Sequence, residues 1–273
     1  MNIMIAGLGL IGGSMALALK TAGIQSDGFD REDVLSYALQ ENMIARAARD
    51  FMEYDVVFVA LPPKAAVRFL TENSFKKGAV VADVCGVKGA IERAVFEKPR
   101  NFRYVGCHPM AGKEVSGIRN ADADLFRGAS MILVENERTD AAAAETIASL
   151  GLSMGFGRII RCDSDYHDAK IAYTSQLAHI VSNAYVKSPT ADGYCGYTGG
   201  SFQDMTRIAG VDEKLWTDLF SANREKILFE LRLLISELGE YERALSAGDD
   251  KALEALLRAG RLKKEELDRQ KRL

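Results

Sequence analysis

MNIMIAGLGLIGGSMALALKTAG, residues 1–23, starts with a short apolar run that leads into a cluster of glycines. Helix-forming residues follow and stop at Gly23, a residue type that commonly ends helices. Residues 1–19 contain no charged side chain. Glycines interrupt the segment and no basic residues precede it, which argues against a signal sequence or a membrane span. The stretch therefore predicts a buried strand, a glycine turn and a helix, the start of a βαβ unit.

The glycines of this turn match the pattern G-x-G-x-x-G at Gly7, Gly9 and Gly12. In a nucleotide site the first glycine permits the tight turn, the second lets the backbone approach a pyrophosphate, and the third lets helix and strand pack closely. Asp30 lies eighteen residues past Gly12, at the end of a second expected strand, DGFD. Together these features favour dinucleotide binding over a purely structural turn.

Asp30 also bears on the choice of cofactor. A carboxylate there can accept hydrogen bonds from ribose hydroxyls and would repel a 2′-phosphate, which favours NAD. The adjacent Arg31 could instead pair with that phosphate, so NADP stays as an alternative. The predicted cofactor-binding residues are Gly7, Gly9, Leu10, Ile11, Gly12, Asp30, Arg31 and Leu61.

Composition limits the classes of partner. The 273 residues are 48% hydrophobic and 27% charged, with a net charge of −3, as in a globular protein of one large or two smaller domains. This charge gives no reason to expect nucleic acid or a membrane surface, so a small molecule or a second copy is the expected partner. The four cysteines are far apart and form no C-x-x-C pair, which predicts no disulfide framework, no metal site and a cytoplasmic location.

Four further apolar runs of strand length follow the first βαβ unit. They are nearly continuous instead of alternating, which is typical of parallel strands covered on both faces. The runs are residues 55–61, 78–84, 103–108 and 130–135. Residues 1–162 are therefore expected to form an α/β Rossmann domain with a doubly wound, mostly parallel sheet.

From about Asp165 onward no convincing strand is found, so residues 163–273 are expected to form an all-α domain. A stripe with alternating spacings of four and three predicts a long amphipathic helix. Its members are Ile227, Leu231, Leu234, Leu238, Tyr241 and Leu245. The stripe can pack within its own domain or against a second subunit, and we favour a homodimer. Another short helix should follow, and residues 261–273 should form a solvated, fraying end.

The histidines are candidates for chemistry. His108 follows the run at 103–108, near the end of a strand, where open α/β sheets bind ligands. A structural hydrogen bond is the alternative on position alone. His167 and His179 are twelve residues apart. On one helix they would lie ~18 Å apart along the axis, too far to share a metal. Local pairing of His167 with Asp168, and a packed His179, are the alternatives to a site.

Asp204 and Arg207 stand three residues apart in GGSFQDMTRIAG. The spacing allows a surface ion pair on a helix. The preceding glycines and the apolar neighbours instead suggest an arginine at a helix start within a pocket. A fixed guanidinium in a pocket would suit a carboxylate substrate.

In this order, the motifs resemble the prephenate dehydrogenase family, which includes arogenate and cyclohexadienyl dehydrogenases. The matching stretches are GLGLIGGS, ADVCGVKG, HPMAGKEVSG, HDAKIAYTSQLAH, GGSFQDMTRIAG and LWTDLFSANREKIL, from residue 7 to about 228. The resemblance implies a Rossmann domain, a helical dimerisation domain and an active site between them. It also implies NAD-dependent oxidative decarboxylation of prephenate to 4-hydroxyphenylpyruvate, in tyrosine biosynthesis.

Carried over residue by residue, the resemblance makes His108 the catalytic histidine. His179 and Arg207 correspond to substrate-binding positions, with Lys113 as a reasonable second cation. His167 and Asp204 are also assigned to the substrate site, the histidine with a less defined role. The alternatives are an arogenate or cyclohexadienyl dehydrogenase, a β-hydroxyacid-type dehydrogenase, and a nucleotide-binding protein without catalysis.

One position departs from the family pattern. Many members have D-x-G-S-V-K where this chain has Asp83-Val84-Cys85-Gly86-Val87-Lys88. The serine that can support the catalytic histidine is therefore replaced by Gly86. Either Cys85, a water or a backbone group takes over this hydrogen bond, or His108 is oriented differently.

Overall fold

The computed structural model describes residues 1–270, and within them a seven-stranded sheet organises the N-terminal part of the chain. The strands are β1 Ile3–Ala6, β2 Asp27–Phe29, β3 Val56–Val59, β4 Val80–Asp83, β5 Arg103–Pro109, β6 Ser130–Val134 and β7 Arg158–Cys162. Their order across the sheet is β2-β1-β3-β4-β5-β6-β7. All neighbouring pairs are parallel except β5 and β6. The predicted Rossmann-type, mostly parallel sheet is confirmed.

Helices cover both faces of this sheet. They are α1 Leu10–Thr21, α2 Glu32–Gln40, α3 Pro63–Glu72, α4 Gly89–Phe96 and α5 Ala141–Ser153. Alternate residues of β1 point to opposite faces, so Ile5 joins one apolar cluster with Met15 of α1 while Met4 joins another with Leu70 of α3. Both faces are therefore buried, which is why the strands are continuously apolar.

Two features of the sheet were not predicted from the sequence. β7, with the sequence RIIRC, was not predicted as a strand; it lies at the sheet edge, where Arg158, Ile160 and Arg161 are exposed. An edge strand of this kind lacks the apolar run on which the prediction depended. The antiparallel direction of β6 was also not predicted, because an apolar run carries no information about strand direction.

The rest of the chain, as far as residue 270, consists of helices and the loops that connect them. α6 Ser164–Ile171 continues through a π-helical turn, Ala172–Gln176, into α7 Leu177–Tyr185. α8 Gly200–Thr206 and α9 Glu213–Ala222 follow. Met1–Arg224 form one compact unit, and the chain from Glu225 forms a second.

The second unit is built from two long helices, α10 Arg224–Ala247 and α11 Asp250–Gln270. The predicted apolar stripe lies on α10, where Leu238 is 57% and Leu245 64% exposed in the single chain. The expected fraying of the tail is wrong for residues 261–270, which are helical, and residues 271–273 lie outside the described chain. None of the helices described is long and apolar enough to cross a membrane.

Candidate active site

A cavity of about 520 Å³ opens beside the carboxyl end of β5, within the unit Met1–Arg224. Its volume lies in the range of small-molecule sites. The lining comes from the loops after β4 and β5, from the α6–α7 segment, and from α9 with the loop that precedes it. Lining residues include Gly86, His108, Lys113, Glu114, Gln176, His179, Arg207, Trp216 and Leu219. The topology thus brings together residues that are more than one hundred positions apart in sequence.

His108 lines this cavity at the end of β5. A second histidine, His167, lies within hydrogen-bond distance of its Nδ1. Its Nδ1 is 2.9 Å from Nε2 of His167, and Nδ1 of His167 is 2.8 Å from Oδ1 of Asp168. Burial, with smaller effects of His167 and Lys88, holds the pKa of His108 well below its ordinary value. The ring is therefore neutral at pH 7 and able to accept a proton.

The side chain of His167 is buried and does not line the cavity. It was assigned to the substrate site, but the structure instead places it behind His108. The alternative considered for it, local pairing with Asp168, is present.

The question raised by Gly86 is answered by this arrangement. Cys85 does not support His108, because its thiol donates to the carbonyl of Leu61 at 3.2 Å. A Cβ at Gly86 would lie 3.6 Å from Nε2 of His108, in ordinary van der Waals contact. The glycine thus leaves the Nε2 side of the ring free of a side chain, and the support comes from His167 on the Nδ1 side.

Arg207 lies on the cavity and forms an ion pair with Glu114 of the loop after β5. The arginine follows the last residue of α8 as its C-cap, so the expectation of a helix start was wrong. Asp204 is exposed and is absent from the cavity lining, and the ion pair of Arg207 is not with Asp204. Lys113 lines the cavity and pairs with Asp122 at 2.8 Å.

His179 faces the same cavity from α7. Its Nδ1 donates to the carbonyl of Ile208 at 2.9 Å, and its ring centroid lies 3.8 Å from that of Trp216. Burial lowers the pKa of His179, which leaves a neutral ring whose Nε2 can accept a hydrogen bond. Three lining residues were not singled out from the sequence: Trp216, Gln176 and Glu114. An aromatic residue or a charged pair at helical or loop positions is usually explained by packing or solvation.

A buried polar cluster lies beneath the site and was also missed. Lys88 is fully buried; its ammonium group pairs with Asp83 and donates to the carbonyl of Cys107 at 2.5 Å. The hydroxyl of Tyr104 donates to the second oxygen of Asp83 at 2.5 Å. These bonds join β4, β5 and the start of α4, and so stabilise the strand ends that carry Gly86 and His108.

The glycine loop fits a dinucleotide. Gly7 has φ of 91°, and a Cβ at Gly12 would overlap the carbonyl oxygen of Gly7. A Cβ at Gly9 would meet no atom within 4 Å. Gly9 therefore serves no packing purpose, yet it stands at the N-cap of α1, which no side chain caps. Open space at an uncapped helix N-terminus suits a pyrophosphate.

Asp30 lies at the carboxyl end of β2 and holds the glycine loop in place. One oxygen accepts from the backbone N–H of Leu8 at 2.6 Å, and the other accepts from that of Arg31 at 2.7 Å. Each oxygen keeps a further lone pair, so ribose hydroxyls can still be accepted. The Arg31 side chain is exposed and lies near Asp33. Leu10 and Ile11 begin α1, and Leu61 lies against Gly7.

Family comparisons agree with this geometry. The model for the nucleotide-binding domain of prephenate dehydrogenase matches residues 15–160, and the model for its dimerization domain matches residues 163–259. This chain belongs to the prephenate dehydrogenase family. It is an NAD-dependent oxidoreductase of that family, as expected from the sequence. Within residues 1–270, no group of three histidine, cysteine or acidic side chains could hold a metal ion.

Relatives of known name support the membership. A cyclohexadienyl dehydrogenase of Zymomonas mobilis is 30% identical over 265 residues, which cover 91% of this chain and 89% of the relative. A prephenate dehydrogenase of Bacillus subtilis is 31% identical, over 83% of this chain and 65% of the relative. Among solved structures, the Aquifex aeolicus prephenate dehydrogenase in complex with hydroxyphenyl propionate and NAD⁺ has a TM-score of 0.83 at 26% identity. That match covers 97% of this chain and 98% of the Aquifex chain.

Proposed function

We propose that this enzyme oxidatively decarboxylates prephenate with NAD, and that His108 is its general base. The observation that carries the proposal is a neutral histidine, hydrogen-bonded to His167, on a cavity that Arg207 and Lys113 also line. Prephenate is a dianion with a ring hydroxyl, so it needs both a base and cations. The family's activity supports the same assignment.

For this reaction the protein mainly has to orient the substrate and transfer a proton. NAD, held by the glycine loop and Asp30, would supply the acceptor for the hydride of the hydroxyl-bearing carbon. His108 takes the hydroxyl proton on Nε2, and the C–O bond becomes a carbonyl. The ring carboxylate then leaves as CO₂, its bonding electrons complete the aromatic ring, and the former carbonyl oxygen takes back a proton from Nε2 of His108 to give the phenol. General base catalysis by a positioned histidine is typically worth about 10²- to 10⁴-fold.

Arg207 is proposed to bind one carboxylate of the substrate. In the structure its guanidinium is paired with Glu114, so an incoming carboxylate has to displace that side chain. Both partners are about half exposed, which makes the existing pair weak and easily exchanged. His179 is proposed to contact the substrate in the same cavity, and Lys113 adds a second positive charge.

Arg207→Ala should raise KM for prephenate by about 10- to 100-fold, because a charge-assisted hydrogen bond contributes about 1.5–3 kcal/mol. We expect a smaller change in kcat. Initial-rate kinetics over a range of prephenate concentrations measures both. Asp204→Ala is the matched control, since Asp204 is exposed on the same helix and outside the cavity lining. An unchanged KM in the arginine variant would return Arg207 to the role of a surface ion pair.

The pH profile should reflect the depressed pKa of His108. Burial favours the neutral ring, so the base form persists below the ordinary histidine pKa of about 6.5. We expect kcat/KM to stay level as the pH falls from 8 to about 6.5 and to decline only at lower pH. Steady-state rates in a constant-ionic-strength buffer series measure this. An acid limb centred at or above about pH 7 would contradict a buried neutral base.

Coenzyme reduction tests the activity itself. NADH formation on mixing enzyme, NAD and prephenate is expected to be prompt, and its absence would refute the proposal. Arogenate in place of prephenate, and NADP in place of NAD, distinguish the family alternatives. A β-hydroxyacid-type reaction would depend on a lysine in the helical part, but Lys170 and Lys187 are both exposed and absent from the cavity lining.

We also propose the domain bounds, the oligomeric state and the location of this enzyme. Residues 1–162 are taken as the nucleotide-binding domain and residues 163–273 as the helical domain that binds substrate and forms a homodimer. The dimerization-domain match and the exposed apolar side chains of α10 support the dimer. These include Phe229, Leu233, Ile235 and Leu238. A cytoplasmic location is consistent with the four free cysteines.

A further inference from the structure

We infer that His167 and Asp168 form a positioning pair that holds His108 in the tautomer with a proton on Nδ1 and a free lone pair on Nε2. With Gly86 where many family members have a serine, this pair is the hydrogen-bonded support of His108 that the structure shows. This inference rests on the proposed function, in which His108 is the base. It assigns to His167 a role different from substrate binding, and to Asp168 a role in catalysis that the sequence motifs did not indicate.

The hydrogen bonds to Asp168 favour its ionised form. Its two oxygens accept the backbone N–H groups of Lys88 and Gly89, each at 2.9 Å, at the start of α4. Burial opposes the charge, but the hydrogen bonds from His167 and from these two N–H groups outweigh it, and the pKa of Asp168 is lowered. An ionised carboxylate can only accept hydrogen bonds. The nitrogen of His167 that faces it, Nδ1, must therefore carry a proton.

The tautomer of His167 determines which nitrogen of His108 carries the proton. Burial lowers the pKa of His167, so the ring is neutral at pH 7 and holds one proton only, on Nδ1. Its Nε2 is then an acceptor, and it lies 2.9 Å from Nδ1 of His108. His108 must donate across this distance, which leaves its Nε2 unprotonated. Two hydrogen bonds in series thus select the catalytic tautomer.

His108 faces the cavity, and Gly86 carries no side chain beside its Nε2. The nearest atoms to a Cβ built on Gly86 are Nε2 of His108 and a methyl carbon of Leu219, both at 3.6 Å. A serine would place a hydroxyl beside the base nitrogen, whereas the glycine leaves that space to the cavity. Support from His167 on the opposite side of the ring therefore does not compete with a substrate hydroxyl for Nε2.

The pair is itself firmly held. His167 is 1% exposed, and the amide of Asn223 donates to the backbone carbonyl of Asp168 at 2.8 Å and to Gln176 at 2.6 Å. When His108 gains a proton it becomes a cation, and the negative Asp168 stabilises that charge through the intervening ring. The arrangement is analogous to a carboxylate that orients a catalytic histidine in hydrolases, with one more imidazole in the series.

Nitrogen NMR tests the tautomers without relying on turnover. The chain contains only three histidines, so a sample labelled with ¹⁵N-histidine gives a spectrum that His108→Asn and His179→Asn variants can assign. At pH 7 we expect His108 and His167 both to carry their proton on Nδ1, although free imidazole side chains prefer Nε2. A His108 ring protonated on Nε2 would overturn the inference. This result does not depend on prephenate being the substrate.

Two substitutions of His167 test the effect on catalysis. His167→Leu removes the acceptor, so His108 should revert to the tautomer protonated on Nε2, and kcat should fall about 10- to 100-fold with little change in KM. His167→Gln keeps an amide oxygen that can accept from Nδ1 of His108, and should restore most of kcat and the tautomer signal. NAD affinity measured by fluorescence titration should be equal in both variants, which controls for folding.

The outcomes separate the two proposals. If NAD and prephenate give no NADH in the native enzyme, the proposed function fails while the NMR result still decides the tautomer. If the native enzyme is active and His167→Leu keeps its kcat and pH profile, the positioning role is wrong. If both variants lose kcat equally while retaining NAD affinity and the native His108 tautomer, His167 is only structural and the inference is also overturned.

Discussion

His108→Asn is expected to lower kcat by at least ~10²-fold, because the substitution removes the nitrogen proposed to take the hydroxyl proton. The asparagine amide can occupy the position of Nδ1 and donate to His167, so the local fold should be kept. The affinity for NAD should change little, since the glycine loop lies between β1 and α1, whereas His108 lies on β5. Single-turnover kinetics with prephenate and fluorescence titration with NAD measure the two quantities separately.

The control for this experiment is the pH profile of the residual activity. If His108 is the base, the acid limb seen in the native enzyme should be absent from the variant. Near-normal turnover in His108→Asn would contradict the assignment outright. Loss of NAD affinity together with turnover would instead indicate a folding defect, and the kcat value would then say nothing about proton transfer.

Gly12→Ala should destabilise the fold by about 3 kcal/mol or more, because its Cβ would overlap the carbonyl oxygen of Gly7 and the backbone has to move. The glycine turn between β1 and α1 cannot open without disturbing the bond between Asp30 and the N–H of Leu8. Urea denaturation, followed by circular dichroism, measures the change in the free energy of unfolding. We expect no measurable NAD binding in this variant.

Gly9→Ala is the matched control, because a Cβ at that position meets nothing within 4 Å. Its free energy of unfolding should equal that of the native protein, while NAD binding weakens by at least about tenfold, since the methyl group occupies the approach to the pyrophosphate. Equal NAD affinity in Gly9→Ala and the native protein would contradict the placement of the pyrophosphate at α1. A fully stable Gly12→Ala would contradict the packing argument.

Local features of the fold were predictable. β1, the glycine turn and α1 follow from one stretch of sequence, because an apolar strand, three spaced glycines and a helix-forming run each act on neighbouring residues. The carboxylate of Asp30 was expected near this turn, and it binds the backbone of Leu8. The position of His108 at a strand end was also predictable, since strand ends can be read from where an apolar run stops.

Features at the edge of the sheet and at the ends of short helices were harder to predict from the sequence. β7 was missed because an edge strand keeps charged residues exposed, and Arg207 was placed at the wrong end of α8 because short helices carry weak boundary signals. The ion pair of Arg207 with Glu114 joins residues 93 positions apart. No local pattern favours that partner over Asp204, which is three positions away.

The sequence by itself determined the βαβ start, the mostly parallel sheet and the helical second half, because each depends on side chains close together along the chain. Through the family resemblance it also singled out His108 as the candidate base. Only the tertiary structure decided what holds that base. His108 and His167 are 59 residues apart, on a strand end and on the buried face of a helix. Nothing in the spacing distinguishes a histidine behind the site from one facing the substrate. A hydrogen bond needs two atoms within about 3 Å, and for distant residues that proximity arises only when strand and helix pack together.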